Sequence, residues 1–236
     1  MINFKILTLF PELFPGPLAA SITGVALEKK LWSLEAINIR DFAKDERKTV
    51  DDTPYGGGAG MVLKADILAD AIEKNLQPES KIFYLSPRGK TLTQKKAREL
   101  AQEKEIILLC GRYEGVDQRV LDEFTIEEIS IGDYVLSGGE LAAFVVIDAI
   151  LRNVDGVLGA DESLAEESFG SKENLEYENL LEYPHFTRPA KWRGREVPEV
   201  LTSGHHKKIN EWRKERAIEI TKKNRPDLYQ KFLDKK

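Results

Sequence analysis

The sequence lacks several features that would assign the chain to a specialised class. Its 236 residues include one cysteine, Cys110, which excludes an internal disulfide and a CxxC zinc site and suits a reducing compartment. No apolar run approaches the roughly 20 residues that cross a bilayer, so a membrane protein is excluded. Residues 1–14 have neither a basic leader nor a small-residue cleavage site, and we expect a first strand there rather than a signal peptide. The composition predicts a cytoplasmic protein.

An excess of positive charge is also missing. The net charge is -5, which by itself argues against a nucleic-acid partner. The charge is unevenly distributed, however, because residues 155–182 hold one Lys/Arg against nine Asp/Glu, whereas residues 183–236 hold fifteen against seven. The basic C-terminal segment can contact phosphates even in an anionic molecule. A solvated helical face is the alternative interpretation.

The chain does contain alternating strand-like and helical patterns, which are typical of an α/β fold. The predicted strands are 4–10, 35–40, 81–86, 105–110 and 127–132. The predicted helices are 64–75, 93–104 and 140–153, of which the third is so apolar that it must be buried in the core or at a subunit interface. Near-continuous apolar strands indicate a parallel sheet covered on both faces. Ligands of such sheets bind beyond the carboxyl ends of the strands.

Composition also predicts the domain organisation. We expect a first domain over residues 1–159, an acidic linker over 160–178 and a small, basic, helical domain over 179–236. In the last of these, Ser203 is the predicted N-cap of a long helix that stops at Arg225-Pro226. The apolar stripe of this helix comprises Ile209, Trp212, Ala217 and Ile220.

Unusual loops follow three of the predicted strands: "YLSPRG" (84–89), "CGRYEGVDQR" (110–119) and "IGDYVLSGGE" (131–140). At one rim of a parallel sheet they would offer backbone groups, glycines that permit close approach, and tyrosine faces, which together predict a small-molecule pocket. An ordinary tight turn is the alternative for any one of them. Neither a dinucleotide-binding glycine pattern nor a P-loop is present. A fourth cluster, "DDTPYGGGAGM" (51–61), indicates a sharply folded or partner-contacting backbone, or else a plain flexible loop.

These motifs, with "YPHFTRP" and "VPEVLTSGHHKKINEWR", closely resemble the TrmD family of bacterial tRNA (guanine-N1)-methyltransferases, which belong to the SPOUT class. The resemblance runs from about residue 4 to residue 233. It implies methyl transfer from S-adenosylmethionine to N1 of guanosine 37, next to the anticodon of tRNA. It also implies a homodimer with its active site at the subunit interface, and a deep trefoil knot around the cofactor loops, which general topology rules would not propose.

The resemblance further implies which residues line the methyl donor. They are Tyr84, Leu85, Ser86, Gly111, Tyr113, Ile131, Gly132, Asp133, Tyr134, Val135, Leu136, Gly138 and Gly139. This composition suits the ligand, because adenine needs an apolar slot with main-chain hydrogen bonds and a sulfonium cation favours nearby tyrosine faces.

Methylation at N1 of guanine requires a general base, because N1 carries a proton. The family pattern E-D-S-F matches residues 166–169, which implies that Glu167 is the base where aspartate is usual. Arg152 matches the family arginine that acts on guanine O6, where negative charge builds as the proton leaves. Glu114 matches the acid that holds the base or the target nucleotide, with an ion pair to Arg112 as the alternative. Magnesium, a family requirement, would act in the same direction as the arginine.

The basic C-terminal residues predict contact with the anticodon branch of tRNA. The predicted contact residues are Arg188, Lys191, Arg193, Lys207, Lys208 and Arg213. Phe186 and Trp192 lie among them and are suited to base stacking, although a buried Trp192 is the alternative. His185 and His206 have no metal-ligand spacing, and we predict no metal site and no nucleophilic role for Cys110. A catalytically silent RNA-binding module and a nucleotide-dependent metabolic enzyme remain as rival functions.

Overall fold

A computed structural model describes residues 1–158, 167–170 and 175–235. The chain divides into two compact units, Met1–Gly159 and Ala160–Lys236. Most of the predicted linker, 160–178, lies outside the described residues, and its separate status stays a prediction.

The first unit is built on a five-stranded parallel sheet with strand order β2-β1-β6-β5-β7. Its strands are β1 (Ile2–Thr8), β2 (Trp32–Asn38), β5 (Lys81–Thr91), β6 (Glu105–Leu109) and β7 (Glu127–Ser130). A two-residue antiparallel ladder of β3 (Asp51–Asp52) and β4 (Val62–Leu63) flanks the glycine cluster. All five predicted strands are present, with ends that differ from the prediction by up to five residues.

Helices cover both faces of this sheet. They are α1 (Ser21–Glu28), α2 (Ala65–Asn75), α3 (Gln94–Leu100), α4 (Gln118–Glu123) and α5 (Glu140–Leu151). Alternate residues of a strand point to opposite faces, so Ile106 and Leu108 enter the core beneath α5, whereas Ile107 and Leu109 enter the core beneath α2. The predicted parallel sheet with two covered faces is confirmed.

Strand β5 is longer than predicted and irregular. Its pairing with β7 is interrupted between Leu85 and Lys90, so that Ser86–Gly89 leaves the ladder as a bulged loop. Gly89 lies so close to the backbone of Glu128 that a side chain would not fit. The "YLSPRG" loop therefore interrupts one strand rather than following it, because β7 resumes pairing beyond the loop.

Within residues 167–170 and 175–235, the second unit contains helices, one hairpin and irregular segments such as 178–190. Its elements are β8 (Lys191–Trp192), β9 (Arg195–Glu196), α6 (Glu199–Thr202), α7 (His206–Asn224) and α8 (Pro226–Leu233). Its core includes Ala217 of α7, Phe232 of α8, and Leu180 and Tyr183 of the preceding segment. Helix α7 ends at Asn224, as the Arg225-Pro226 pair predicts.

The prediction of Ser203 as N-cap is wrong. Residues 199–202 form a helical turn of their own, and Ser203 is its C-cap, with its hydroxyl donating to the carbonyl of Val200 at 2.7 Å. Gly204 then adopts a left-handed conformation, with φ of +71°, and α7 begins two residues later. Ser203 thus ends one helix instead of beginning the next. The prediction failed because the apolar pattern did not reveal the short helix that begins after Pro198.

Candidate functional site

Three loops at the carboxyl edge of the parallel sheet enclose a cavity of about 330 Å³. They are the bulge of β5, the segment after β6 and the segment between β7 and α5. Because parallel strands present their carboxyl ends at one edge, these loops converge although they are far apart in sequence. The volume lies in the range that small-molecule sites occupy, about 300–1,000 Å³.

All but one of the predicted cofactor residues line this cavity. The lining members are Tyr84, Leu85, Ser86, Gly111, Tyr113, Ile131, Gly132, Tyr134, Val135, Leu136, Gly138 and Gly139. Asp133 is exposed and lies outside the lining. Sequence reasoning missed nine other lining residues: Pro87, Arg88, Arg112, Gly115, Val116, Ile129, Ser130, Ser137 and Ala142. Six of them lie inside the quoted loops, where their position beside recognised motif residues was the available signal.

Tyr84 and Gly111 show why glycine is needed here. The Tyr84 ring is buried, and a Cβ on Gly111 would lie 2.7 Å from a carbon of that ring. Burial of the phenol also raises the pKa of Tyr84, so its hydroxyl stays protonated. Gly115, with φ of +117°, passes the same hydroxyl closely. Because Gly111 and Gly115 have no side chains, the loop after β6 can approach Tyr84, which lines the cavity.

The segment after β7 folds against the segment after β6. The amide of Gly139 donates to the carbonyl of Gly111 at 2.9 Å, and a Cβ on Gly139 would lie 2.7 Å from the Cα of Cys110. Further along the same segment, the Tyr134 hydroxyl donates to the carbonyl of Ile131 at 3.2 Å. Gly132 adopts a φ of +148°, which a larger residue rarely takes. Backbone contacts therefore shape two adjoining walls of the cavity.

Glu114 is exposed and lines the cavity on the side of the glycine cluster. Its amide donates to the carbonyl of Met61 at 2.9 Å, and its carboxylate occupies the space that a side chain on Gly60 would need. The alternative of an ion pair with Arg112 is wrong, because the Arg112 guanidinium pairs with Glu140 instead, at 2.9 Å.

The other two predicted catalytic residues belong to different units. Arg152 is the C-cap of α5 in the first unit, where its amide donates to the carbonyl of Asp148. Glu167 is half-buried in a turn of the second unit, in which the Gly170 amide donates to the Glu167 carbonyl at 3.1 Å. Their joint action on guanine stays a prediction.

The turn that carries Glu167 is anchored inside the second unit. The amide of Phe169 donates to the carbonyl of Leu180 at 2.7 Å, and the Ser168 hydroxyl accepts from the amide of Glu182 at 3.0 Å. A Cβ on Gly170 would lie 2.8 Å from the amide nitrogen of Glu178. These contacts fix the turn against the segment that contains Glu178, Leu180 and Glu182. The notion that the acidic linker over residues 160–178 becomes ordered only when RNA is bound stays a prediction, and most of that range lies outside the described residues.

Most of the predicted RNA-binding residues are exposed on the second unit. Arg188, Lys191, Arg193, Lys207 and Lys208 are exposed, and Lys191 also pairs with Glu196 across the hairpin at 2.7 Å. Arg213 differs, since it is half-buried with its guanidinium 4.9 Å from the Tyr183 ring centre. Its contact with RNA stays a prediction beside this packing role.

Trp192 lies at the end of the hairpin with 58% of its surface exposed, so the alternative of a buried tryptophan is wrong. The connecting residues Arg193 and Gly194 both have positive φ, of 49° and 79°, as a tight two-residue hairpin turn requires. The Arg193 guanidinium lies 5.0 Å from the Trp192 ring centre. The turn thus presents an aromatic ring and a cation together.

Cys110 and His185 each have a defined environment in the described structure. Cys110 is fully buried, and burial raises the pKa of its thiol well above the ordinary value, which disfavours the reactive thiolate. His185 pairs with Glu182 at 2.8 Å. Within the described ranges, no group of three or more His, Cys, Asp or Glu residues could hold a metal ion. No step through magnesium is therefore derived from these residues.

The fold and the cavity define an α/β protein with a small-molecule site at the carboxyl ends of its parallel strands. In the part of the chain that the structure covers, no helix is long and apolar enough to cross a membrane. The model of the family described as "tRNA (Guanine-1)-methyltransferase TrmD" matches residues 2–231. The chain therefore belongs to the TrmD family of tRNA (guanine-1)-methyltransferases.

Curated relatives support this assignment along nearly the whole chain. A tRNA (guanine-N(1)-)-methyltransferase of Rhodospirillum rubrum is 58% identical over 97% of this chain and 92% of its own length. The protein of the same name from Pelagibacter ubique is 54% identical, covering 97% of both chains. That of Rhizobium etli is 52% identical over 98% of this chain and 97% of its own. The resemblance inferred from the motifs, and with it the enzyme class, is confirmed.

Proposed function

We propose that this chain is a cytoplasmic tRNA (guanine(37)-N1)-methyltransferase that uses S-adenosylmethionine as methyl donor. The observation that carries the proposal is the cavity at the carboxyl edge of the sheet. Its walls are built from the same three loops whose motifs identify the family.

The cavity residues suit the methyl donor. Leu85, Ile131, Val135 and Leu136 provide apolar surface for the adenine, and the glycine segments expose backbone groups for its polar edge. Tyr84, Tyr113 and Tyr134 also line the cavity, and an aromatic ring turned toward the donor would stabilise its sulfonium cation. Bound there, the donor supplies an activated methyl group.

Three side chains have separate roles at the acceptor, which is the guanine base. The Glu167 carboxylate takes the proton from N1 of guanine, which frees the nitrogen lone pair to form the new bond as the bond from carbon to sulfur breaks. The Arg152 guanidinium stabilises the negative charge that develops on O6. Glu114, at the border of the cavity, holds the base or the target nucleotide.

The exposed cations of the second unit would bind the anticodon branch of tRNA. Lys207 and Lys208 lie in the first turn of α7, where the helix dipole also favours phosphate. Arg188 and Arg193 add charge near the hairpin, and Trp192 offers a face for an unpaired base.

Two features of the family fold belong to the same proposal. The close passage of Gly139 over Cys110 and Gly111 is the contact expected where a chain threads through a trefoil knot around the cofactor loops. The outer face of α5 exposes Leu141 and Val145, and the nearby α1 exposes Ile22 and Val25, which supports a homodimer with the active site at its interface.

A methylation assay tests the proposal. The chain is incubated with labelled S-adenosylmethionine and a tRNA that carries guanines at positions 36 and 37, with the same tRNA bearing adenine at position 37 as control. We expect label at N1 of guanosine 37 and none in the control. Binding of tRNA without transfer would favour a catalytically silent RNA-binding module, which the replacement of aspartate by Glu167 keeps in consideration. A donor bound without any use of tRNA would favour a metabolic enzyme.

A further inference from the structure

An ion pair between the buried Glu140 and the half-buried Arg112 joins the loops that form two walls of the cavity. Arg112 follows β6 and lines the cavity, and its Nη2 lies 2.9 Å from Oε2 of Glu140, the first residue of α5. Glu140 is only 1% exposed. Its other oxygen, Oε1, accepts from the hydroxyl of Thr8 at 2.8 Å, and Thr8 ends β1. The pair thus connects three segments that are far apart in sequence at one edge of the sheet.

Arg112 also fixes the glycine turn before α5. Its Nη1 donates to the carbonyl of Ser137 at 3.2 Å, and its guanidinium lies 4.3 Å from the Phe10 ring centre. The side chain fills the space that a Cβ on Gly138 would need. Residues 137–139 are therefore held between Arg112 and the backbone of the loop after β6.

Stability alone does not account for such a pair. Burying two charges costs solvation free energy that their attraction seldom exceeds, and apolar residues of similar volume often stabilise a protein as well or better. What an apolar pair would not provide is a fixed direction for the Ser137 carbonyl and for the start of α5. The geometry therefore suggests a role in shaping the cavity.

We propose that Arg112 and Glu140 are positioning residues, which hold the two loops at the separation that the methyl donor requires. The inference rests on the proposed function, because it takes the cavity to be the S-adenosylmethionine site. Neither residue needs to touch the reacting atoms. Their effect is on the affinity for the donor.

A second buried ion pair provides a matched control. Lys5 and Glu105 lie 3.0 Å apart with side chains 11% and 12% exposed, which lies between the 23% of Arg112 and the 2% of Glu140, and Glu105 also accepts from Asn3 and Ser80. Glu105 begins β6, so this pair is at the opposite end of the strand from the cavity, and neither residue lines it. Loss of this pair should affect folding alone.

The experiment compares Glu140→Gln, the double variant Arg112→Met/Glu140→Leu, and Glu105→Gln in the full chain. Titration calorimetry gives the dissociation constant for S-adenosylmethionine, and thermal unfolding without ligand gives the midpoint. We expect Glu140→Gln to bind the donor at least about tenfold more weakly, since small misplacements of binding groups have effects of this size or larger. The double variant should regain thermal stability but keep the weakened affinity. Glu105→Gln should lower the midpoint and leave the affinity within about twofold of wild type.

The outcomes are distinguishable. Wild-type affinity in Glu140→Gln, or affinity that returns together with thermal stability in the double variant, would overturn the proposal and leave the pair a purely structural role. Should Glu140→Gln fail to fold, the double variant alone decides. Failure of the wild-type chain to bind the donor would instead refute the proposed function, and the positioning role with it.

Discussion

The motif resemblance matches Glu167 to a position where the family pattern E-D-S-F has aspartate, and the additional methylene matters for the proposed chemistry. The turn that holds it is fixed by the Phe169 amide and the Ser168 hydroxyl, so the backbone of residue 167 has a defined position in its unit. A longer side chain on an anchored backbone moves the carboxylate by about one bond length. Displacements near 1 Å can change rates by about 100-fold. If Glu167 is the base, its turn must therefore be placed so that the longer side chain still brings the carboxylate to N1 of the guanine.

Replacement of Glu167 tests this role. We expect Glu167→Ala to lower kcat by about 10²- to 10⁴-fold, which is the usual contribution of a general base, with little change in the Kd for tRNA. Glu167→Asp retains a carboxylate and should be more active than the alanine variant. Single-turnover methylation with labelled donor provides the measurement.

The control for this series is Glu199→Ala, which removes an exposed carboxylate from the first turn of α6 in the same unit. It should methylate at the wild-type rate. Full activity in Glu167→Ala would show that another group removes the proton, while the enzyme class would stand.

At the scale of elements, the hairpin β8-β9 carries Trp192, the aromatic residue with the largest exposed fraction among the described residues of the second unit. Its tight turn holds Trp192 and Arg193 side by side, with the ring largely open to solvent. An exposed ring of this kind contributes little to folding, but it can stack on any unpaired base, because every base has a π face.

Trp192→Ala should therefore weaken tRNA binding without destabilising the chain. Base stacking on an aromatic side chain is worth about 1–3 kcal/mol, which corresponds to roughly 5- to 150-fold in Kd. Trp192→Phe keeps an aromatic face and serves as the matched control, with most of the affinity retained. Fluorescence anisotropy of labelled tRNA measures both. Equal affinity of the alanine variant and the wild type would exclude stacking at this position.

The secondary-structure elements and the loops between them differ in how well they could be predicted from the sequence. Strands and long helices were predictable because their apolar periodicity is local, and the convergence of the cavity loops follows from the parallel order of the sheet. The pairing of Arg112 with Glu140 was not predictable, because it depends on the packing of two segments that are 28 positions apart. Glu114 is nearer to Arg112 in the sequence and, by charge alone, was an equally acceptable partner. Ser203 was misassigned because a capping residue suits either end of a short connection.

At the scale of the whole molecule, helix α5 presents an apolar face that no part of the chain covers within residues 1–158, 167–170 and 175–235. Leu141 and Val145 lie one turn apart on α5 and are 61% and 49% exposed, although the opposite side of this helix is fully buried in the core. Phe144, between them, packs on Phe14 with ring centres 4.7 Å apart. The sequence left open whether α5 is buried in the core or at a subunit interface. One face of the helix lies in the core, as predicted, and the role of the other face at an interface stays a prediction.

A dimer through this face makes a direct prediction. Leu141→Glu/Val145→Glu should convert the dimer to a monomer, because each carboxylate would lose its hydration in the interface without gaining a partner. Sedimentation equilibrium at micromolar concentration measures the mass. Leu233→Glu introduces a glutamate at an exposed leucine of the second unit and should leave the dimer intact, so it serves as the control.

With an active site shared between subunits, the monomeric variant should also lose methyl transfer while its own cavity still binds the donor. A wild-type mass in the double variant would mean that α5 does not form the interface, and a fully active monomer would mean that each subunit has a complete site.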